Sequence, residues 1–220
     1  MQWEREEQSK TERTKMRILT AAVKLFDAQG FDGTTVRQIA EAADVNLALI
    51  SYHFQGKKGL LEVLIATYFE KFFHLLDELE QKEQFSSSFA KLKRMIHLYV
   101  YFQKEHAEVT RLVQRELSVE SMLAREVMTI YIQRWKHGFT TVLEQGMVNG
   151  EFAPAPLDQL MLSLTSLLVY PYLNPQSVRE VYYLEPNSDE FCEWLVSSTI
   201  QFITSLLIRE PTLFEYEKGL

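Results

Sequence analysis

The stretch from Thr34 to Lys58 constrains the fold of this chain more strongly than any other. Thr35 and Gln38 have the spacing of a capping box, which predicts that a short helix starts at this point. Asn46 is a favoured N-cap residue and predicts a second short helix after a tight turn. Two short helices joined in this way have the spacing of a helix-turn-helix. In DNA-binding proteins with this motif, the second helix lies in the major groove of double-stranded DNA.

The predicted second helix has an inward and an outward side. Ile50 and Phe54 lie four residues apart and form the inward stripe. The candidate base contacts are the N-cap and the outward residues: Asn46, Leu47, Ala48, Ser51 and Tyr52. Leu47 and Ala48 are apolar where a solvated helix would be polar, which fits contact with thymine methyl groups. Packing of Leu47 against Phe54 is the alternative.

Candidate phosphate contacts surround the motif. They are Thr34, Thr35, Arg37, His53 and Lys57. Phosphate contacts position a protein on DNA and carry no sequence information. Two short helices joined by a turn also occur in many all-helical proteins that never bind DNA, so the spacing alone leaves both interpretations open.

This stretch resembles the signature of the TetR family of bacterial DNA-binding regulators. The matching residues are Thr35, Val36, Arg37, Ala40, Val45, Tyr52, Phe54 and Lys57, and with the preceding helix the match covers residues 13–61. The resemblance implies an all-α fold, in which an N-terminal three-helix unit with the helix-turn-helix is followed by a larger helical body for dimerisation and regulation. We therefore expect one domain at residues 1–58 and a second at residues 59–220.

The charge of the chain is divided in a way that suits DNA binding. The whole chain has a formal net charge of −7, but residues 10–58 carry +3 and residues 59–220 carry −8. One end of the protein would therefore face phosphate while the rest is kept away from it. Because the basic excess is small, we expect a modest electrostatic contribution to affinity from each subunit.

Other classes of function lack support in the sequence. The chain has no glycine-rich phosphate loop and no HExxH or GxSxG motif, so we expect no enzyme. The five histidines have no paired spacing, and we expect no metal site and no cofactor. Cys192 is the single cysteine, which excludes an intramolecular disulfide and fits the cytoplasm.

The sequence also argues against a membrane protein. Its apolar runs are shorter than the ~20 residues that a membrane span needs. Its start is charged where a signal peptide is apolar. We expect a cytoplasmic, nucleoid-associated protein with no membrane partner.

The last two predicted helices, over residues 157–170 and 189–209, are apolar on more than one side. Such helices are buried, either within one domain or against a second subunit. TetR relatives pair through their last two helices as a four-helix bundle, so the resemblance favours a homodimer. The candidate interface residues are Leu160, Leu164, Leu167, Leu168, Leu195, Phe202 and Ile203.

Two further runs carry a narrower resemblance. Residues 115–131 and 166–191 are similar to a sporulation-linked branch of the TetR family. This similarity implies binding to specific chromosomal sites and regulation of the division ring, with the FtsZ protein as a candidate partner. Arg111, Arg115 and Glu116 are candidate contacts for a partner or a ligand, or they are simply solvated or in local ion pairs. A TetR-type repressor that responds to a small-molecule effector is the alternative.

Overall fold

The computed structural model of the chain describes residues 2–208, with side chains from residue 10 onward. Within this range the protein is all-α, as predicted. The eleven α-helices of the described residues are α1 (Gln2–Gly33), α2 (Val36–Ala42), α3 (Leu47–Phe54), α4 (Lys57–Lys82), α5 (Ser88–Glu105), α6 (Ala107–Leu117), α7 (Met122–Val127), α8 (Gln133–Val148), α9 (Leu157–Leu173), α10 (Pro175–Tyr182) and α11 (Asp189–Leu207). A π-helical turn at Met128–Ile132 joins α7 to α8. None of these helices is both long enough and apolar enough to cross a membrane.

Helix α1 begins at Gln2 and is kinked near its end at Gly33. Gly30 has a φ of 80° and a ψ of 165° inside the helix, a conformation that is essentially restricted to glycine. Gly30 is therefore a kink at which two helical segments meet. The kink interrupts the helical hydrogen bonds, so nearby carbonyl oxygens need other donors.

The chain forms two compact units, and each is discontinuous in sequence. The first comprises the residues up to Phe73 together with His106–Thr129. Its core includes the buried side chains of Ile18, Phe26, Ile39, Ile50, Leu60 and Leu112. Arg111 on α6 forms an ion pair with Asp27 on α1 at 2.5 Å. Helix α6 therefore packs against α1 in the unit that holds the helix-turn-helix, whereas the sequence predicts it in a separate body that starts at residue 59.

The second unit comprises the rest of the described chain. In it α5 packs against α8 and α11, and α9 packs against α8, α10 and α11. The buried side chain of Gln103 donates a hydrogen bond to the carbonyl of Leu168 at 3.1 Å. The hydroxyl of Tyr172 donates to the carbonyl of Val100 at 3.4 Å. These bonds link α5 to α9 within an otherwise apolar core.

The carboxylate of Glu151 caps α5 from a distant part of the chain. It accepts hydrogen bonds from the backbone N–H groups of Ser88 at 3.0 Å and Phe89 at 3.1 Å. These are donors that the first turn of a helix cannot satisfy internally. The bond from Ser88, together with that from Phe89, holds the pKa of the Glu151 carboxyl below its ordinary value.

Several helix boundaries differ from those that the sequence predicts. Periodicity predicts no helix at α10, yet Pro175 begins one, since a proline in the first turn loses no helical hydrogen bond. Pro171 is predicted to follow a helix but lies inside α9. Residues 122–148, whose apolar spacing predicts one continuous helix, are divided into α7, the π-helical turn and α8. The predicted end of the last helix at Arg209 lies outside the described residues.

Most of the predicted dimer-interface residues are covered within a single chain. Leu160, Leu164, Leu168, Leu195 and Ile203 are all buried in the core of the second unit. Leu164, for example, has 0% of its surface exposed. A side chain that its own chain covers has no surface left for a partner, so the prediction is wrong for these five residues. Leu167 and Phe202 keep some exposed surface.

Candidate DNA-binding site

Helix α2 starts with the predicted capping box. The Thr35 hydroxyl oxygen accepts a hydrogen bond from the backbone N–H of Gln38 at 3.2 Å. In return the Gln38 side-chain oxygen accepts one from the backbone N–H of Thr35 at 2.8 Å. Both donors lie in the part of the helix that has no internal acceptor, so the box fixes where α2 begins.

The turn between α2 and α3 is held from outside the motif. Asp44 has a positive φ of 51° in this turn. The guanidinium of Arg17 on α1 donates to the Asp44 backbone carbonyl at 2.7 Å and to its carboxylate at 2.8 Å. Sequence reasoning missed this contact because the two residues are far apart in the chain. It links α1 to the turn that precedes α3.

Helix α3 presents the face that the sequence predicts. Asn46 caps it, since its side-chain oxygen accepts the backbone N–H of Ala48 at 2.8 Å. Ile50 and Phe54 are buried, which anchors the inward side. The outward residues are all exposed: Leu47, Ala48, Ser51 and Tyr52. Leu47 keeps 48% of its surface exposed, so packing against Phe54 does not cover it.

Three of the predicted phosphate contacts remain accessible. Thr35 and Arg37 are exposed, and Arg37 shares a surface ion pair with Glu41 at 3.2 Å. His53 is half-buried, and its ring meets the edge of Tyr52 with 4.9 Å between centroids. An exposed ion pair of this kind is worth little, so Arg37 can exchange Glu41 for phosphate at small cost.

The other two predicted phosphate contacts, Thr34 and Lys57, serve the fold instead. Thr34 is 1% exposed, and its hydroxyl donates to the carbonyl of Gly30 at 2.7 Å. The Lys57 ammonium donates to the carbonyls of Phe31 at 2.8 Å and Thr34 at 2.9 Å. It also lies 4.3 Å from the centroid of the Phe31 ring. Both side chains supply the donors that the kinked end of α1 lacks.

Gly59 is a further structural requirement of the site. A Cβ atom at this position would lie 2.0 Å from the carbonyl oxygen of Phe54, the last residue of α3. The first turn of α4 can therefore approach the end of α3 only with glycine here. A glycine inside a helical sequence pattern often has such a packing reason, and this signal was open to sequence reasoning.

The candidate partner or ligand residues are engaged within the first unit. Arg111 pairs with Asp27, and the Arg115 guanidinium donates to the carbonyl of Phe26. Burial raises the pKa of the Glu116 carboxyl, against the lowering effect of Arg115. Residues 10–208 contain no group of three His, Cys, Asp or Glu side chains placed to hold a metal ion.

Comparison with known proteins agrees with this geometry. Residues 18–64 match the family described as bacterial regulatory proteins, tetR family. The probable HTH-type transcriptional regulator YttP of Bacillus subtilis is 39% identical over 178 residues, which cover 81% of this chain and 86% of that protein.

Solved structures show the same fold over most of the chain. A regulatory protein of the tetR family from Rhodococcus RHA1 is 21% identical, with a TM-score of 0.70 over 86% of this chain and 96% of that one. A linker mutant of HlyIIR is 25% identical, with a TM-score of 0.70 over 92% of this chain and 100% of that one. The chain therefore belongs to the TetR family of bacterial regulatory proteins and is a DNA-binding transcriptional regulator of that type.

Proposed function

We propose that this protein is a homodimer that recognises inverted-repeat chromosomal sites through α3. The observation that carries the proposal is the arrangement of α3 itself. Ile50 and Phe54 anchor one side in the core, while Leu47 and Tyr52 project from the other with 48% and 79% of their surfaces exposed. Large apolar groups fixed on the outer side of a helix-turn-helix are suited to the floor of the major groove.

The proposed dimer surface is the exposed side of α9 and α11. On α9 a stripe of exposed residues at helical spacing runs along Leu162, Ser166, Tyr170 and Leu173. On α11 the exposed apolar residues include Trp194 and Leu206, with Phe202 half-buried beside them. Regulators of the TetR family form homodimers, and an exposed apolar surface of this kind fits such contact. Two α3 helices would then meet half-sites about one helical turn or somewhat more apart.

In this proposal the DNA-bound protein acts on the FtsZ division ring and requires no small-molecule effector. This rests on the resemblance of residues 115–131 and 166–191 to RefZ, a sporulation-linked member of the family. A partner surface would use Glu120, Arg125 and Glu126, which are exposed around α7. Arg111 and Arg115 are excluded from it, because each is bonded to α1.

A ligand-responsive repressor is the second candidate function. A pocket of about 370 Å³ in the second unit is lined by Phe85, Lys91, Gln145 and Asn149 among others, which offers polar groups to a small molecule. About a third of the chain is also 31% identical, over 72 residues, to IcaR of Staphylococcus aureus, named as a negative transcriptional regulator of a biofilm operon.

Chromatin immunoprecipitation with sequencing, beside expression profiling in the native host, separates the two outputs. We expect a few inverted-repeat sites, little change in transcription on deletion, and altered FtsZ rings in strains that carry Ala48→Arg, which blocks the α3 surface. A site that overlaps its own or a transporter promoter, with strong derepression on deletion and normal FtsZ rings, would replace the division role with the repressor role.

A further inference from the structure

Helix α3 lacks the side chains that most often read DNA bases. Helix α3 has the sequence LALISYHF and contains no Arg, Lys, Asn or Gln. Guanine is most often read by two hydrogen bonds from Arg or Lys, and adenine by two from Asn or Gln. Both kinds of contact are therefore missing from α3 itself.

The side chains of Asn46, Gln38 and Lys57, which lie near α3, are already bonded within the protein. The Asn46 side-chain oxygen is used by the N–H of Ala48. The Gln38 side-chain oxygen is used by the backbone N–H and the hydroxyl of Thr35. A paired contact with adenine needs the oxygen and the NH₂ of one amide together, and in both amides the oxygen already accepts a bond within its own cap. The Lys57 ammonium is bonded to two backbone carbonyls.

The first turn of α3 presents apolar side chains. Leu47 and Ala48 are the first two residues of the helix, and both are exposed. This end of a recognition helix is the end that contacts base edges. The C5-methyl group of thymine is the apolar group that bases present in the major groove. The hydroxyl of Ser51 can contact a donor or an acceptor, so it selects weakly between bases.

We propose that Leu47 and Ala48 recognise the C5-methyl group of pyrimidines in each half-site, so that thymine and 5-methylcytosine are read through the same contact. This inference rests on the proposed function, because it requires α3 to lie in the major groove. It specifies the chemistry that is recognised: a methyl group on the pyrimidine edge, read by burial rather than by paired hydrogen bonds. Loss of one buried methyl group reduces affinity about fourfold.

The test starts from duplexes selected by the full chain out of a random-sequence pool. Each thymine of the selected duplex is replaced in turn by deoxyuridine, which keeps every hydrogen-bonding group and lacks only the methyl. We expect a loss of about fourfold for at least one thymine in each half-site, and of about 16-fold when both half-sites are substituted. At the same position, 5-methylcytosine should bind about fourfold tighter than cytosine.

Substitutions at Leu47 and Ala48 test which side chain contacts the methyl group. In Leu47→Ala or Ala48→Gly, the difference between thymine and uracil should disappear at the thymine that the side chain covers. Ser51→Ala removes a hydroxyl but no methyl, so it should keep the difference even if its affinity changes. Circular dichroism and thermal unfolding verify that each variant is folded, and Leu47→Ala keeps a strong helix former at its position.

The outcomes are distinguishable. Equal affinity for thymine and uracil at every position overturns methyl recognition and leaves DNA binding intact. A difference that persists unchanged in both Leu47→Ala and Ala48→Gly assigns it to DNA shape and also overturns the inference. Failure to enrich any sequence from the pool overturns the proposed function itself.

Discussion

Gly59 and Phe54 approach so closely that a Cβ atom on Gly59 would lie 2.0 Å from the Phe54 carbonyl oxygen. We expect Gly59→Ala to lower the free energy of unfolding by about 1–3 kcal/mol, since the start of α4 must move away from α3. DNA affinity should fall with it, because α3 shifts. Urea unfolding and gel shifts measure both effects.

Gly138 provides the matched control for that substitution. It lies inside α8, and a Cβ atom there would meet nothing within 4 Å. Gly138→Ala should therefore be neutral, or stabilising by up to about 1 kcal/mol. Equal stability of both variants would show that α4 tolerates a side chain at position 59.

Substitution of Lys57 should lower stability, whereas substitution of Arg37 should change the salt dependence of DNA binding. Lys57→Met should cost about 1–3 kcal/mol of stability, because the Phe31 and Thr34 carbonyls each lose a hydrogen bond from the ammonium. Arg37→Ala should leave stability nearly unchanged and reduce the salt dependence of DNA binding, with a log–log slope lower by about one. Fluorescence anisotropy at several salt concentrations gives the slopes. A lower slope in folded Lys57→Met would return Lys57 to the phosphate contacts.

Leu162 and Leu164 lie on opposite sides of α9 and should respond differently to a charge. Leu162 is 69% exposed, so Leu162→Glu should give a folded monomer that binds DNA weakly. Leu164 is fully buried, so Leu164→Glu should unfold the second unit by burying an unpaired carboxylate. Analytical ultracentrifugation and circular dichroism report the two outcomes. A fully dimeric Leu162→Glu would move the interface to another surface.

Glu151 should make stability depend on pH. Its pKa in the folded protein lies below the ordinary 4.5, because the carboxylate accepts the Ser88 and Phe89 N–H groups. A lowered pKa adds stability above the pKa of the unfolded chain, and this is lost as the pH falls through the folded value. Glu151→Gln should therefore be less stable than the wild type at neutral pH, with a difference that shrinks below pH 4.5. Glu144→Gln, at an exposed position of α8, is the control, and a difference that is constant with pH would contradict the capping role.

The features that the sequence predicts correctly depend on residues within about one helical turn of each other. The Thr35 capping box, the Asn46 cap and the inward stripe of Ile50 and Phe54 are of this kind. Each follows from local hydrogen bonds or helical periodicity, so no knowledge of the rest of the fold is needed.

The features that the sequence misses depend on distant partners. Lys57 has the residue type of a phosphate contact, and only its position beside the kinked end of α1 gives it another role. Leu162 and Leu164 are equally apolar, and periodicity alone cannot say which side of α9 its own chain covers. The Arg17 contact with Asp44 likewise needs the packing of α1 against the turn.

The discontinuity of the first unit affects how this protein is made. Arg111 reaches Asp27 across 84 residues of chain, and the unit is complete only with the segment that ends at Thr129. During translation the helix-turn-helix leaves the ribosome long before α6, so its apolar core stays partly uncovered in the nascent chain. We therefore expect a fragment that stops at Phe73 to bind operator DNA poorly and to aggregate. On this basis we expect the first unit to be complete only after more than half of the polypeptide has been synthesised.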